Sequence, residues 1–440
     1  MESIWTSTVR MPQFPALGED VQTDVLIIGG GMAGLLCAHQ LQQAGVSCIV
    51  AEARTIASGI TKDTTAKITS QHGLIYRTLL KRFGPERARC YWQANQEALN
   101  AFRVLCRHID CDFITQDHFI YSKADRQILE AELAALAAVG CPAKLEPHLP
   151  LPFPTVGGIK FPQQAQFHPL KFLASIVGNL NIYENTPVLE WKEQEAVTEH
   201  GRIHADSIIV ATHFPFLNKH GSYFLKLYQQ RSYALALENA PSLEGMYLDA
   251  QENGLSFRSH QDSLILGGGG HRTGKTGGGW QELEQFVKAY YPQAEITHRW
   301  ATQDCMTLDG IPYIGQYSIR TPNLYVATGF NKWGMTSSMV AAQLLTDLIT
   351  GKGSPYASLF SPSRSILRLQ LGVNSFEAVR NLATPTPKRC PHMGCALKWN
   401  PQEHSWDCPC HGSRFTESGK LIDNPATGDI PSSGSSPIEK

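Results

Sequence analysis

The stretch DVLIIGGGMAGLLCAHQLQQAGVSCIVAEAR, residues 24–54, decides the fold. Asp24 to Ile28 is a short apolar run bounded by glycines, as a buried parallel strand should be. Gly29, Gly31 and Gly34 follow at G-x-G-x-x-G spacing. Met32 to Ala44 has apolar residues at helical spacing and stops at Gly45, a suitable C-cap. Val46 to Ala51 reads as the next strand, with Glu52 at its end. Strand, helix and strand in roughly 30 residues make a βαβ unit. In such a unit the first glycine makes the tight turn out of the strand. The second lets a pyrophosphate approach the backbone, and the third lets the helix pack on the sheet. Met32 and Ala33 open the helix, whose N-terminus faces the phosphate charge. Glu52 lies where an acidic side chain binds adenosine ribose hydroxyls. The segment predicts dinucleotide binding, without separating FAD from NAD.

A chain of 440 residues is too long for one typical domain. Its 42% hydrophobic and 18% charged residues describe a soluble globular protein with large cores. A net charge of −1 gives no reason to expect nucleic acid as a partner. The first residues hold no apolar h-region, and no uninterrupted apolar run is long enough for a membrane span. The expected location is the cytoplasm. Of the 11 cysteines, Cys37, Cys48, Cys90, Cys106, Cys111, Cys141 and Cys305 are scattered, as buried free thiols would be. The other four fall between Cys390 and Cys410 among histidines, which suggests a metal site.

Further along, helices are predicted over Pro85 to Ile109 and Ala124 to Val139. A proline-rich loop covers 145–158, and 167–180 turns into a helix. Strands are expected at 185–191, at 205–215 and, in a second sheet, at 230–237, 254–258 and 263–266. Residues 267–279, GGGGHRTGKTGGG, read as a glycine-rich loop. Residues 323–352 read as strand, loop and long helix. Between Pro362 and Lys388 the pattern is a helix or two and a linker.

Three stretches resemble the D-amino-acid-oxidase superfamily of FAD enzymes, which includes glycine and sarcosine oxidases. They are DVLIIGGGMAG with Glu52 and Arg54, ASGITKDTTAKITSQHG (57–73), and TLDGIPYIG (307–315) with NLYVATGFNKWGMTSS (323–338). The resemblance spans about residues 20–355. It implies an α/β (α+β) fold in which a Rossmann-like FAD-binding domain is interleaved with a mixed-sheet substrate domain. It also implies that Ser58, Thr65, Lys67, Gly329, Gly334, Met335 and Thr336 line the flavin and that Val188 touches the adenine side. Cys305 lies near the region where some sarcosine oxidases attach flavin covalently. Its offset departs from that pattern, and a buried thiol is expected.

At the far end stands CPHMGCALKWNPQEHSWDCPCHGS, residues 390–413. Cys390 and His392 at C-x-H spacing, with Cys408 and His411 at C-x-x-H, would make a four-ligand zinc set. The surrounding CPHMGC and CPCHGS are more specific and resemble Rieske [2Fe–2S] proteins of the cytochrome bc and b6f type. By that resemblance Cys390 and Cys408 hold one iron and His392 and His411 the other. A disulfide then joins Cys395 to Cys410. His404 fits no ligand position. Ser413 keeps a hydroxyl that relatives aim at a cluster sulfur, but Phe415 stands where high-potential relatives have tyrosine. An intermediate potential is expected. The expected layout is an oxidoreductase region (20–355), a helical linker (356–388), a minimal β-rich Rieske domain (389–430) whose open edge packs on the flavoprotein, and a disordered end (431–440).

Together these features imply an FAD-dependent dehydrogenase that oxidises a C–N bond of an amine or amino acid by hydride transfer. Electrons would leave singly through the cluster to a quinone, ferredoxin or cytochrome. Tyr233, His271, Arg272 and Lys332 are substrate-side candidates, Arg272 as a carboxylate partner. Alternatives are the same two centres working in the reductive direction, a Rieske oxygenase, and a redox or iron sensor. No compact iron-binding set of two histidines and a carboxylate is visible for the oxygenase. No second dinucleotide motif is visible for an NADH donor.

Overall fold

In the computed structural model, residues 2–217 and 220–431 are described; most of the expected disordered end, 432–440, lies outside them. Strand Val21–Ile28 runs into helix Met32–Gln43 and strand Cys48–Ala51. The first strand pairs in parallel with Cys48–Ala51 on one side and Arg202–Val210 on the other. Beyond them lie Asn181–Tyr183 and Leu324–Thr328, also parallel, and Tyr313–Gln316, antiparallel. A sheet of this kind is covered on both faces, and Val25 to Ile28 are buried accordingly.

A second sheet follows the order Glu295–Thr307, Leu227–Glu238, Ser263–Arg272, Ser256–His260, Met246–Asp249, Ile114–Tyr121, Gly158–Gln166 and Lys67–Ile68. Met246–Asp249 pairs in parallel with Ile114–Tyr121, and the other pairs are antiparallel, so the sheet is mixed. The first sheet draws on residues 21–51, 181–210 and 313–328, and the second on 67–166 and 227–307. The chain therefore crosses repeatedly between them, as an interleaved fold requires.

Several local expectations need correction. The helix predicted from Pro85 does start there, but a further helix precedes it: Ile75–Leu105 is two helices joined across a kink at Gly84, whose φ of 81° lets the chain bend ahead of Pro85. Only Glu190–Lys192 of the stretch 185–191 is a strand. Pro187, Val188 and Leu189 before it form loop along a cavity. Gly267 to Gly270 are not loop but continue strand Ser263–Arg272. They suit it because space is short: a side chain on Gly268 would meet Leu255 at 2.7 Å and Leu283 at 3.0 Å.

Helix Leu369–Ala383 precedes a four-stranded antiparallel sheet of Lys398–Asn400, Ser405–Asp407, Arg414–Thr416 and Leu421–Asp423. Among the described residues no helix is long and apolar enough to cross a membrane.

Candidate functional site: a dinucleotide cavity walled by an iron–sulfur tail

A cavity of about 1190 Å³ runs from the glycine motif to the second sheet. Gly29, Gly31, Met32, Ala33, Glu52, Arg54 and Val188 line one end. Ser58, Thr65, Lys67, Gly329, Lys332, Gly334 and Met335 line its middle and far walls. Gly34 and Thr336 stand behind the wall. A Cβ on Gly34 would collide with the Gly29 carbonyl, so this glycine sets how closely helix meets strand. Thr336 Oγ1 lies 3.1 Å from both the Thr69 carbonyl and His72 Nε2 and ties the last helix to the 69–72 segment.

Glu52 is fixed at the strand end. Its carboxylate accepts from the Gly30 N–H at 2.7 Å and the Arg54 N–H at 2.8 Å. Cavity size, the glycine cradle and this anchored acid fit a bound FAD. Burial and the Arg258 charge bring the Lys67 ammonium down to about 7, and burial brings the Asp63 carboxyl up to about 7. Cys305 is buried with Sγ 3.7 Å from Thr328 Oγ1, and burial pushes its thiol up to about 12.

Strands Leu227–Glu238 and Glu295–Thr307 form the partition between this cavity and the tail. Side chains alternate across a strand. Ser232, Thr302 and Asp304 line the cavity. Gln229, Arg231 and Gln303 hold the tail. Gln229 Nε2 donates to the His411 carbonyl at 2.9 Å, Gln303 Nε2 donates to the Gly412 carbonyl at 2.9 Å, and Arg231 pairs with Glu403. Gly412 has φ 87° and lies so close that a side chain there would meet Gln229 at 2.6 Å. The tail also passes round the edge of the partition. Leu421 to Asn424, Ala426 and Thr427 form part of the cavity wall itself. Asn424 Nδ2 donates to the Thr212 and Phe214 carbonyls at 2.6 and 2.8 Å, and Arg54 donates to the Ile422 carbonyl at 3.3 Å.

The substrate-side candidates divide between the two sides. Lys332 and Tyr233 line the cavity. Arg272 is turned to the tail: it donates to the Pro409 and Cys410 carbonyls at 3.2 and 3.3 Å and to Asn374 at 2.9 Å. Tyr233 Oη donates to Glu403 at 3.0 Å and lies 3.0 Å from His271 Nε2. Sequence reading missed Asp304, Ser232 and the wall residues 421–427. Two-residue alternation along 227–238 and 295–307 was the available signal for the first two, and a long-range contact leaves none for the third.

In the tail, Cys390 and Cys408 are buried and share a hydrogen bond, which pulls the Cys390 thiol down to about 7 and pushes that of Cys408 up. The His392 and His411 rings are 5.0 Å apart. His411 Nδ1 is buried with no hydrogen-bond partner among the described residues, as suits a nitrogen that ligates a metal. Cys395 and Cys410 form a disulfide with Cα atoms 6.7 Å apart. The sulfurs of Cys395, Cys408 and Cys410 also cluster, but two of them are used in the disulfide. The pair Cys390 and Cys408 with the two histidines therefore fits a [2Fe–2S] cluster. Ser413 Oγ accepts from the Ala426 N–H at 3.0 Å and hydrogen-bonds the Cys390 sulfur. Phe415 is buried and offers no donor.

This arrangement defines a flavin and iron–sulfur oxidoreductase. The chain belongs to the FAD dependent oxidoreductase (DAO) family, whose profile matches residues 24–348, and a Rieske [2Fe-2S] domain profile matches residues 381–433. Its cofactors are FAD and a Rieske cluster. The Bacillus subtilis (strain 168) protein YhfW is 35% identical over 97% of this chain and 96% of its own. The cytochrome b6-f complex iron-sulfur subunit of Nostoc punctiforme is 41% identical over 54 residues, 12% of this chain and 29% of that one. Glycine oxidase from Geobacillus kaustophilus shares the fold at TM-score 0.65 and 19% identity, over 78% of this chain and 99% of its own. L-proline dehydrogenase from P. horikoshii does so at TM-score 0.66 and 17% identity, over 80% and 98%.

The disulfide gives a measurable contribution. It closes a 15-residue separation, a loop whose cross-link is worth about 3 kcal/mol. Cys395→Ser should lower the stability of the tail by about that amount. Limited proteolysis at increasing urea, with iron content measured alongside, checks this.

Proposed function

We propose that the protein is a dehydrogenase that oxidises the C–N bond of an amine or amino acid and passes the electrons to an external one-electron acceptor. The observation that carries this reading is the partition: one pair of strands has the cavity on one face and the tail's cluster loop on the other. When bound, FAD takes two electrons as a hydride, and the cluster relays electrons one at a time. The chain's own work is to orient the substrate, exclude water and manage one proton. Residues 421–427 close the cavity wall, which favours exclusion of water. Asp304 is a half-buried carboxylate on the cavity face of the partition, and Ser232 Oγ donates to it at 3.2 Å. Burial raises its pKa, which supports a role in holding the proton an incoming ammonium must lose before oxidation.

The test uses anaerobically purified protein with amines and amino acids added singly. The expected result is bleaching of the flavin absorption together with a Rieske-type EPR signal. If dithionite produces both changes and no amine or amino acid produces either, C–N oxidation is overturned.

A further inference from the structure

Helix Leu369–Ala383 is docked inside out. Its inward face is polar. Gln370 Nε2 donates to Asn374 at 3.1 Å, Asn374 accepts from Arg272 at 2.9 Å, and Glu377 pairs with Lys275 at 2.7 Å. Asn381 is buried, and its carbonyl accepts from the Ala396 N–H at 3.0 Å. The outward face carries Leu369 (93% exposed), Val373, Phe376 (66%), Val379 (66%) and Leu382. Apolar side chains at this spacing ordinarily face a core. Left in water, such a face is a contiguous apolar patch, which marks an interaction site. The Leu382 end of the face reaches the first cluster loop, where a Cβ on Gly394 would lie 3.9 Å from the Leu382 side chain, and Met393, next in sequence to Gly394 and His392, is exposed.

Charge selects the partner. Residues 364–398 hold six Lys and Arg and one acid, Glu377, in a chain of net charge −1. Glu377 is used by Lys275. Among the described residues, Arg380, Lys388 and Arg389 form no ion pair, and Arg380 and Arg389 are exposed. An apolar helix face surrounded by unpaired cations is the combination that lies in the headgroup region of an anionic bilayer. We propose that this helix face, with Met393, seats the protein on an anionic lipid surface, cluster loop toward the bilayer. The inference rests on the surface alone and not on the reaction.

The test is co-sedimentation of the full-length holoprotein with phosphatidylglycerol–phosphatidylcholine vesicles and with pure phosphatidylcholine vesicles. Binding is expected to the anionic vesicles, to weaken as salt is raised, and to fall at least about tenfold in Phe376→Asp/Val379→Asp. Arg380→Gln, at an exposed side chain, should weaken it about fivefold, the weight of one cation near such a surface. Flavin and iron content unchanged from wild type show that the variants are folded. Failure to bind anionic vesicles, or binding unaltered in both variants, overturns the proposal. A concentration-dependent dimer in analytical ultracentrifugation that the double variant abolishes also overturns it, because a second copy then covers the face.

Discussion

Cys408→Ser is expected to remove the iron entirely, from about two per FAD to none, and with it the Rieske EPR signal, while flavin stays bound. Cys408 is 1% exposed and hydrogen-bonds Cys390, so no exposed ligand stands by to take its place. A serine hydroxyl is a hard, weakly acidic donor where the site calls for a soft thiolate. The flavin cavity is built from the glycine motif and the second sheet, and residue 408 does not line it. Absorption should therefore show flavin at wild-type stoichiometry. In the proposed dehydrogenase this variant should still be bleached by substrate but should lose electron delivery to a one-electron acceptor. Iron and flavin quantification with EPR checks the first part, and acceptor reduction checks the second. Retention of a Rieske signal would mean that the ligand set is wrong.

Short-range order was legible in the sequence because its causes are short-range. The turn at Gly29, the collision that Gly34 avoids and the acid at Glu52 act within about thirty residues, and a reader of residues 24–54 meets all of them. The residues proposed to hold the iron–sulfur cluster are compact in sequence for the same reason. Legibility ended where a residue's partner is remote. Arg231 and Glu403 are separated by 172 positions, and nothing near either announces the other. Gly267 to Gly270 looked like a loop because glycine is poor in strands. Gly268 is there because of remote neighbours, Leu255 and Leu283, that leave no room for a side chain. Residues 185–191 read as a strand, yet Val188 is apolar as part of a cavity wall. Helix Leu369–Ala383 is the sharpest case. Its periodicity is plain in the sequence, but which face turns inward was decided by Arg272 and Lys275, about a hundred residues earlier.

Glu403→Ala should loosen the tail by about 3–5 kcal/mol, because it leaves a buried cation without a partner. Arg231 and Glu403 have side chains 2% and 9% exposed. Glu403 also accepts from Arg414 at 2.8 Å, Tyr233 at 3.0 Å and Asn400 at 3.2 Å. Arg414 keeps Asp407 at 3.0 Å and Asp423 at 3.2 Å in the variant, so Arg231 is the group left uncompensated. The pair is not itself strong evidence of stability, since desolvating both charges offsets most of their attraction. That argument makes a second expectation: Arg231→Met combined with Glu403→Leu should recover much of the loss, as a double-mutant cycle would reveal. The pH dependence follows from the same geometry. Burial alone would raise the Glu403 carboxyl, but Arg231 and Arg414 outweigh it and hold it at about 2, against an ordinary 4.5. A carboxyl lowered on folding contributes stability that is complete above its unfolded value and is lost as pH falls through its folded value. The docked tail should thus be indifferent to this group from pH 6 to 8 and weaken between about pH 4.5 and 2, by roughly 3 kcal/mol at about 1.4 kcal/mol per pH unit of the gap. Limited proteolysis of the tail across that range, in wild type and in Glu403→Gln, measures it. A wild-type acid transition that the variant reproduces unchanged would show that other carboxyl groups govern undocking.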